Sequence, residues 1–411
     1  MVVKNVDGKL VWLLIVSLIL SIVSLVNYAW GRYVLFAVAA MVGVVYAFRR
    51  KGKMRIKFDA FQYLFLLFCI YTGISSLWAL NMSDSIEKMT TLLSIVLCYF
   101  PIYTYYRDCG TVEHLVSAIK WGAVAVSIYT IVFFGLDRLL LSIQSASLRI
   151  ADGFANANSL GLCASVGILI QSWQLLFQKG KKWENLTFLP TILIVGASQS
   201  RKTVVFVLAG VFLLIVLRYK DEKKPLNTIL SVFFALAVTV GILYGASQME
   251  LFSGLTQRML SLLNFFTGSG KVDHSTQVRY AMMDLGLEWW LKNPLFGIGM
   301  GNPHIIVKQY LIYDAYLHNN YVELLCGGGI VGFLLYYSMH FFCLKQLFRF
   351  RKVNEPLFAL MITWCFIILM MDYGKVSYFA KIDVFYLMTI FLSIEEMQRH
   401  NKKRVSVEMQ R

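Results

Sequence analysis

The sequence has few charged residues and few prolines for its length. Of its 411 residues, 15% are charged and 6 are proline, whereas 58% are hydrophobic. Soluble domains carry about 25% charged and about 45–50% apolar residues. This composition excludes a soluble enzyme built around one large core, and it predicts a membrane protein.

The sequence patterns of common metal and nucleotide sites are also missing. The chain contains no D-x-D, no H-E-x-x-H and no C-x-x-C, and no Lys-Ser or Lys-Thr follows the glycine-rich segment FGIGMGN at residues 296–302. A nucleotide-binding loop needs that lysine, and zinc sites need clustered ligands. We therefore expect chemistry without a metal or cofactor, a tight turn at the glycines, and cysteines that act as small hydrophobic residues within helices.

Long apolar segments predict the fold. A membrane-spanning helix requires about 20 mostly apolar residues. The first segment lacks a small-x-small cleavage site, so we expect it to remain as a helix. The short seventh and eighth segments are either two helices or one broken element. The expected fold is an all-α polytopic bundle of about twelve transmembrane helices, at residues 10–29, 33–48, 60–80, 89–106, 113–135, 158–177, 186–200, 203–217, 227–246, 319–341, 355–373 and 376–394.

The distribution of positive charge predicts the orientation. Most of the 39 Lys and Arg residues lie near the N-terminus, in alternate loops and near the C-terminus. Because positive loops stay inside, both termini are expected in the cytoplasm. The chain then divides into helices 1–9 (1–245), an extracytoplasmic loop (246–318), and helices 10–12 with a cytoplasmic tail (319–411). Because the net charge of +16 is spread between apolar segments, it does not indicate nucleic-acid binding.

The long outward loop is expected to contain amphipathic helices. Apolar residues recur at helical spacing in 277–292, and a second helical pattern over 305–317 is entered through Pro303. Tryptophans in the first pattern suit the lipid headgroup region. The loop is therefore predicted to fold back onto the membrane surface rather than to form a disordered spacer.

Four ionisable residues are predicted to lie near the outer interface, namely Arg149, Arg201, Arg279 and His318. Guanidinium groups bind phosphate oxygens in a bidentate manner and stay charged. An imidazole accepts a proton from a hydroxyl near neutral pH. Together these groups suit the transfer of a group from a lipid-linked diphosphate to an alcohol, because the arginines stabilise charge on the leaving diphosphate.

Each of these residues also has a structural alternative. Arg149 suits contact with lipid headgroups, and Arg201 suits a cap at a helix joint. Arg279 suits an ion pair within its own helix, and His318 suits a packing role. The residue types alone leave these alternatives open.

Several motifs occur in order along residues 149–332. The segment at Arg149 approximates R-x-G-F-x-N-x-N, with the two extra residues Ala151 and Asp152, and Ser200-Arg201 forms the next motif. A helix that contains Arg279 precedes N-P-L-F-G-I-G-M-G, and then come H-N-x-Y and G-G-I-V-G. In their order and spacing these motifs resemble the O-antigen ligase and polysaccharide polymerase (Wzy-type) family.

The resemblance implies a metal-independent glycosyltransferase of the GT-C type. It would act at the outer face of the bacterial inner membrane on an undecaprenyl-diphosphate-linked glycan, within the lipid bilayer. By the same resemblance Arg201, Arg279 and Arg149 bind the diphosphate and His318 is the essential histidine. Asn319 and Tyr321 of the H-N-x-Y motif are expected to support it.

Three functions fit these expectations. In a polymerase the acceptor is another lipid-linked glycan, whereas in a ligase it is the lipid A-core. We favour the polymerase, because polymerases have a wider range of acceptors and hosts than ligases. A transporter or flippase for lipid-linked glycans is the third alternative, but transporters commonly have two related halves with charges midway across the membrane. The sequence shows no such repeat.

Overall fold

The computed structural model of the protein describes residues 2–25, 28, 31–52, 57–145, 150, 155–178, 182–220, 225–254, 256–257, 259–260 and 274–409. Within these residues every regular element is a helix and none is a strand. The predicted all-α class is therefore confirmed. Arg149, together with Gly153 and Phe154 of its motif, lies outside the described residues.

The helices follow one another along the chain. Three brief 3₁₀ helices accompany them, at Ser75–Leu77, Lys182–Thr187 and Glu250–Phe252. The described α-helices are α1 (Val2–Ser24), α2 (Gly31–Arg49), α3 (Ala60–Ile74), α4 (Met82–Asp108), α5 (Val112–Phe134), α6 (Leu136–Gln144), α7 (Ala157–Phe177), α8 (Phe188–Ser198), α9 (Arg201–Tyr219), α10 (Pro225–Gln248), α11 (His274–Lys292), α12 (Pro303–Leu311), α13 (Asn320–Phe350), α14 (Glu355–Asp372) and α15 (Lys381–Met409).

Many helices begin at a polar residue that bonds to the first turn. Asn81 accepts a hydrogen bond from the backbone N–H of Ser83 before α4. Thr111 accepts one from His114 before α5, and Asn319 accepts one from Val322 before α13. Such caps satisfy backbone donors that have no partner within the helix. They fix the starting points of these helices.

The chain forms two compact units. The first unit comprises Met1–Val38, Gly110–Lys271 and Asn354–Ile367, and the second comprises Ala39–Cys109, Val272–Val353 and Ile368–Arg411. Helices α2 and α14 each contribute to both units.

The first unit is held together by close helix packing. α1 packs on α5, α5 on α7, and α7 on α8 and α9. A methyl group added at Gly122 of α5 would lie 2.7 Å from Cδ1 of Ile19, and one added at Gly161 of α7 would lie 2.6 Å from Cγ2 of Thr203. Small residues at these positions allow the helix backbones to approach closely.

In the second unit, α3 packs on α4 and α13, while α13 also packs on α11 and α15. Aromatic rings fill the interior, and Phe61 stacks on Tyr103 with 5.7 Å between ring centres. This unit also contains a buried ion-pair cluster, in which Arg107 lies 3.0 Å from Asp59 and 2.8 Å from Asp108. A buried guanidinium requires such partners, because its desolvation is otherwise costly.

Eight of the described helices are long and apolar enough to cross a membrane, namely α1, α3 with its 3₁₀ extension, α4, α5, α7, α9, α13 and α14. The apolar parts of α2 and α10 are shorter, at Tyr33–Arg49 and Leu226–Ile242. The protein is thus a multi-pass membrane protein. The count of twelve spans is not confirmed and stays a prediction.

Residues 186–217 contain two separate helices, α8 and α9. They are divided by Gln199, which adopts the left-handed conformation with φ 47°. The sequence left open whether this stretch is one broken element or two, and the described structure has two. Of these, α8 has only 11 residues.

The predicted helices of the long loop are present as α11 and α12, and Pro303 is the first residue of α12, as expected. The second helix ends at Leu311, earlier than the predicted residue 317, because Ile312 adopts the left-handed conformation with φ 65°. One helix was not predicted. It is α6, which follows α5 directly after Gly135. The last predicted span begins later than expected, at Lys381, because the N–H groups of Ser377 and Tyr378 donate to the side chain of Asn320 instead of starting a helix.

Candidate functional site

His318 lies in a short extended segment that joins α12 to α13. Its backbone has φ 58°, in the left-handed region that non-glycine residues seldom adopt. The residue is half-buried. The imidazole ring lies 4.5 Å from the ring centre of Tyr316, with the two planes at 55°.

The residues on either side of His318 are firmly held. The backbone N–H of Leu317 donates to Oε2 of Glu323 at 2.9 Å. Asn319 caps α13, because its side-chain oxygen accepts the N–H of Val322 at 3.1 Å. These two hydrogen bonds fix the backbone just before and just after the histidine.

Arg279 lies in the second turn of α11 and is half-buried. It acts electrostatically on the phenol of Tyr316. Burial raises the pKa of Tyr316 above its ordinary value, the positive charge of Arg279 lowers it in part, and the carboxyl group of Glu323 raises it. The structure therefore brings both Arg279 and His318 close to Tyr316.

Apolar packing holds α11 in this position. Met282 and Leu317 belong to one buried cluster with Val322. A methyl group added at Gly286 would lie 2.5 Å from Cδ1 of Leu317, so α11 approaches the segment before His318 closely. Glu288, an acidic residue of the same helix, accepts a hydrogen bond from Lys292 at 2.7 Å.

Asn319 and Tyr321 make structural contacts. The amide of Asn319 lies 3.8 Å from the sulfur of Met283 in α11. Tyr321 donates its hydroxyl to the backbone oxygen of Leu369 at 2.6 Å and stacks on Tyr337, with ring centres 4.9 Å apart. These contacts fit the supporting role predicted for both residues, and that role stays a prediction.

Arg201 is the first residue of α9 and lies in the first unit. The joint before it is built from buried polar side chains. The N–H of Ser200 donates to Oγ of Ser198 at 3.3 Å, and Thr203 donates its hydroxyl to the backbone oxygen of Ser200 at 2.7 Å. Arg279 and His318 lie in the second unit. The convergence of Arg201 with them stays a prediction, as does the role of Arg149.

The glycine-rich segment forms the tight turn that was predicted. Gly297, Gly299 and Gly301 all have positive φ, at 67°, 101° and 82°. A methyl group at Gly297 would lie 2.5 Å from the backbone oxygen of Cys326, and one at Gly299 would lie 2.4 Å from Cβ of Ala79. Only glycine combines this backbone conformation with such close approach.

The turn fills a break in α13. At Gly329 the backbone leaves the helical conformation, with φ 61° and ψ −168°. The N–H groups of Ile330 and Val331 donate to the backbone oxygens of Pro294 and Leu295, and the freed oxygen of Cys326 accepts from Ile298. Gly328 and Gly332 lie against Met300 and Tyr71, so both glycines are closely packed.

Residues 186–337 match the O-antigen ligase family model. This stretch of the chain is similar to the O-antigen ligase family. The resemblance inferred from the motifs is thus confirmed over this range. No curated protein matches the chain.

The O-antigen ligase segment contains Arg201, Arg279, His318, Asn319 and Tyr321, whereas Arg149 precedes it. The family indicates a glycosyl-transferring ligase- or polymerase-type enzyme of the membrane. Among the residues that the structure describes, no three His, Cys, Asp or Glu side chains are grouped as metal ligands would be. The metal independence predicted for this segment stays a prediction.

Two residues of the O-antigen ligase segment were missed by the sequence reasoning. Tyr316 lies close to both Arg279 and His318, and Glu323 holds the segment before His318. A signal for Glu323 was present, because it is a lone acid at the start of a mostly apolar helix. No sequence signal distinguishes Tyr316 from the other tyrosines of the loop.

Proposed function

We propose that this protein transfers a glycan from a polyprenyl-diphosphate carrier to an acceptor hydroxyl at the outer face of the bacterial cytoplasmic membrane. The donor is an undecaprenyl-diphosphate-linked oligosaccharide. The acceptor is a second lipid-linked repeat unit, and the product is a longer chain of O-antigen or capsule. The observation that supports this proposal is that Tyr316 is reached by the charge of Arg279 and contacts the ring of His318, within the segment that matches the O-antigen ligase family.

The residue types supply the chemistry. The bond between the anomeric carbon and the diphosphate oxygen breaks, and its electron pair leaves with the diphosphate. The acceptor oxygen bonds to that carbon, and its proton passes to the imidazole of His318. Arg279 stabilises the charge that grows on the leaving diphosphate. We assign Arg201 and Arg149 to the same diphosphate-binding role.

A ligase is the second candidate, and the description of the matched family favours it. The donor and the departure of the diphosphate are the same in both reactions. Only the acceptor differs, because a ligase transfers the glycan to the lipid A-core. The acceptor requirement of the purified protein therefore separates the two.

The test uses the purified protein in detergent with a synthetic polyprenyl-diphosphate oligosaccharide and EDTA. A polymerase releases polyprenyl diphosphate and builds longer lipid-linked glycans from this donor alone. A ligase consumes the donor only after lipid A-core is added. Binding of the donor without turnover under either condition would refute glycan transfer and favour a transporter, whereas turnover only without EDTA would refute metal independence.

Variants then test the residue assignments. His318→Ala should lower the transfer rate by at least about 100-fold while donor binding persists, because a general base contributes about 10²–10⁴ in rate. Arg279→Ala should weaken donor binding as well. His274→Ala is the matched control, since His274 is an exposed histidine of α11 that contacts Tyr313. Full activity in His318→Ala at neutral pH would remove the base assignment.

A further inference from the structure

Glu323 is a buried carboxylate with no part in the proposed chemistry. It lies in the first turn of α13 and is 4% exposed. Burying an ionisable side chain costs several kcal/mol unless a partner compensates. Its carboxylate accepts the backbone N–H of Leu317 at 2.9 Å. Lys88 of α4 supplies a positive charge that acts on the same carboxylate.

The hydrogen bond from Leu317 to Glu323 constrains the backbone of the next residue, His318. His318 has φ 58°, a conformation that costs a non-glycine residue about 1 kcal/mol or more and persists only when the surroundings impose it. After the histidine, Asn319 is tied to α13 as its cap. Before the histidine, the described hydrogen bond that ties the backbone to α13 is the one accepted by Glu323. Both ends of this strained link are thus anchored to the same helix turn.

Leu317 adds an apolar contact that also holds the segment before His318. Its side chain is fully buried and packs closely against Gly286 of α11. An apolar contact tolerates sliding and rotation more readily than a hydrogen bond, which is directional. The carboxylate of Glu323 therefore sets the direction in which the peptide before His318 points.

We infer that Glu323 is the positioning residue for His318. By holding the N–H of Leu317 it keeps the backbone of His318 in the left-handed conformation and the imidazole against Tyr316, which the charge of Arg279 also reaches. This inference rests on the proposed function, in which His318 accepts the acceptor proton. Glu323 itself touches neither the substrate nor the reacting atoms.

Two conservative variants distinguish the need for a hydrogen-bond acceptor from the need for a side chain of this length. Glu323→Gln keeps an acceptor oxygen at the same distance and loses the charge. Glu323→Asp keeps the charge but is one methylene shorter, so its carboxylate no longer reaches Leu317. The same pair at Glu288, an exposed residue of α11 bonded to Lys292, provides the matched control.

Three readouts are measured on the full-length protein in detergent. The first is kcat and the donor KM. The second is hydrogen–deuterium exchange of the peptide that contains Leu317. The third is the rate at which diethylpyrocarbonate modifies His318, followed by mass spectrometry. The last two report on the position of His318 without requiring activity.

Glu323→Asp should lower kcat about 10- to 100-fold with the donor KM within about threefold, because a displacement of about 1 Å costs up to 10² in rate. It should also speed exchange at Leu317 and change the modification rate of His318. Glu323→Gln should match the wild type in all three readouts, as should both Glu288 variants. Thermal midpoints and gel filtration establish that each protein is folded.

Two results would overturn the inference. One is wild-type exchange and His318 modification in Glu323→Asp. The other is a folded Glu323→Gln that is as impaired as Glu323→Asp, since the charge rather than the hydrogen bond would then be required. If the wild type shows no glycan transfer, the proposed function fails, and the exchange and modification rates still decide whether Glu323 positions His318.

Discussion

Tyr316 is reached by the charge of Arg279 and contacts the ring of His318. A phenol keeps its proton at neutral pH, and burial raises the pKa of Tyr316 further, so its hydroxyl is available as a hydrogen-bond donor. A neutral donor near a guanidinium suits an anionic or oxygen-rich ligand. Tyr316 therefore adds a hydrogen-bond donor to the cation of Arg279 and the proposed base His318.

The hydroxyl of Tyr316 should contribute to transfer beyond the packing of its ring. Tyr316→Phe removes the donor and keeps the ring against His318, so kcat should fall about tenfold, the value of one hydrogen bond of about 1.4 kcal/mol. The steady-state kinetics of donor consumption measure this change. Tyr310→Phe is the control, because Tyr310 is an exposed tyrosine of α12 whose ring packs near Trp289. Unchanged kcat and KM in Tyr316→Phe would remove the phenol from the mechanism.

At the scale of single elements, the break in α13 and the glycine-rich turn form one structure. The freed backbone groups of α13 find their partners in the turn, so neither element satisfies its hydrogen bonds without the other. The turn also bonds to the start of α4, where Ser85 donates to the backbone oxygen of Met300 at 2.7 Å. The second unit is thereby fixed around the helix that begins directly after His318 and Asn319.

Gly329 should be the least replaceable residue of this element. A methyl group there would lie 2.3 Å from the backbone carbon and oxygen of Leu295, and φ is 61°. Gly329→Ala should destabilise the protein by about 3 kcal/mol or more, since it combines strain with a backbone clash. Gly241→Ala in α10 has no heavy atom within 4 Å of the new methyl group and should be neutral or slightly stabilising. Thermal midpoints in detergent compare the two, and equal midpoints would contradict the described break.

The sequence predicted these elements in part, and the limit has a physical cause. Local spacing identified α11, the start of α12 at Pro303 and the tight turn, because these depend on neighbouring residues. The break at Gly329 and the late start of α15 were not predicted, because each depends on a bond to a distant segment. The side chain of Asn320, for example, accepts the N–H of Ser377 at 3.0 Å. The role inferred for Glu323 was not predicted either, because it depends on the hydrogen bond with Leu317.

At the scale of the whole molecule, apolar content predicted more spans than the described helices support. A helix of 11 residues such as α8 is about 16 Å long, whereas the hydrocarbon core of a bilayer is about 30 Å thick. α15 is long enough, but charged residues near the start and in the middle leave it outside the set of candidate spans. Hydropathy identifies apolar segments. It does not determine the length of each helix, which depends on its capping residues and its hydrogen bonds to other segments.

The orientation of the chain is a prediction from positive charge alone, and it decides whether the site can meet its donor. In the proposed function the donor lies at the outer face, so the segment that carries His318 must face outward. Asp314 is an exposed residue of that segment, paired with Lys308 at 3.2 Å, and Lys352 is an exposed residue between α13 and α14. In intact cells with a permeabilised outer layer, a membrane-impermeant maleimide should label Asp314→Cys and leave Lys352→Cys unlabelled until the cytoplasmic membrane is opened.

The native cysteines leave a low background for this experiment, because six of the seven are buried and Cys109 is partly buried. The wild-type protein measures that background directly. Labelling of Lys352→Cys but not of Asp314→Cys in intact cells would reverse the orientation and place His318 on the cytoplasmic side. The assignment of Arg279 and His318 to a donor presented at the outer face would then fail, even though their surface with Tyr316 would be unchanged. The labelling pattern thus tests the link between the fold and the reaction, independently of any measurement of transfer.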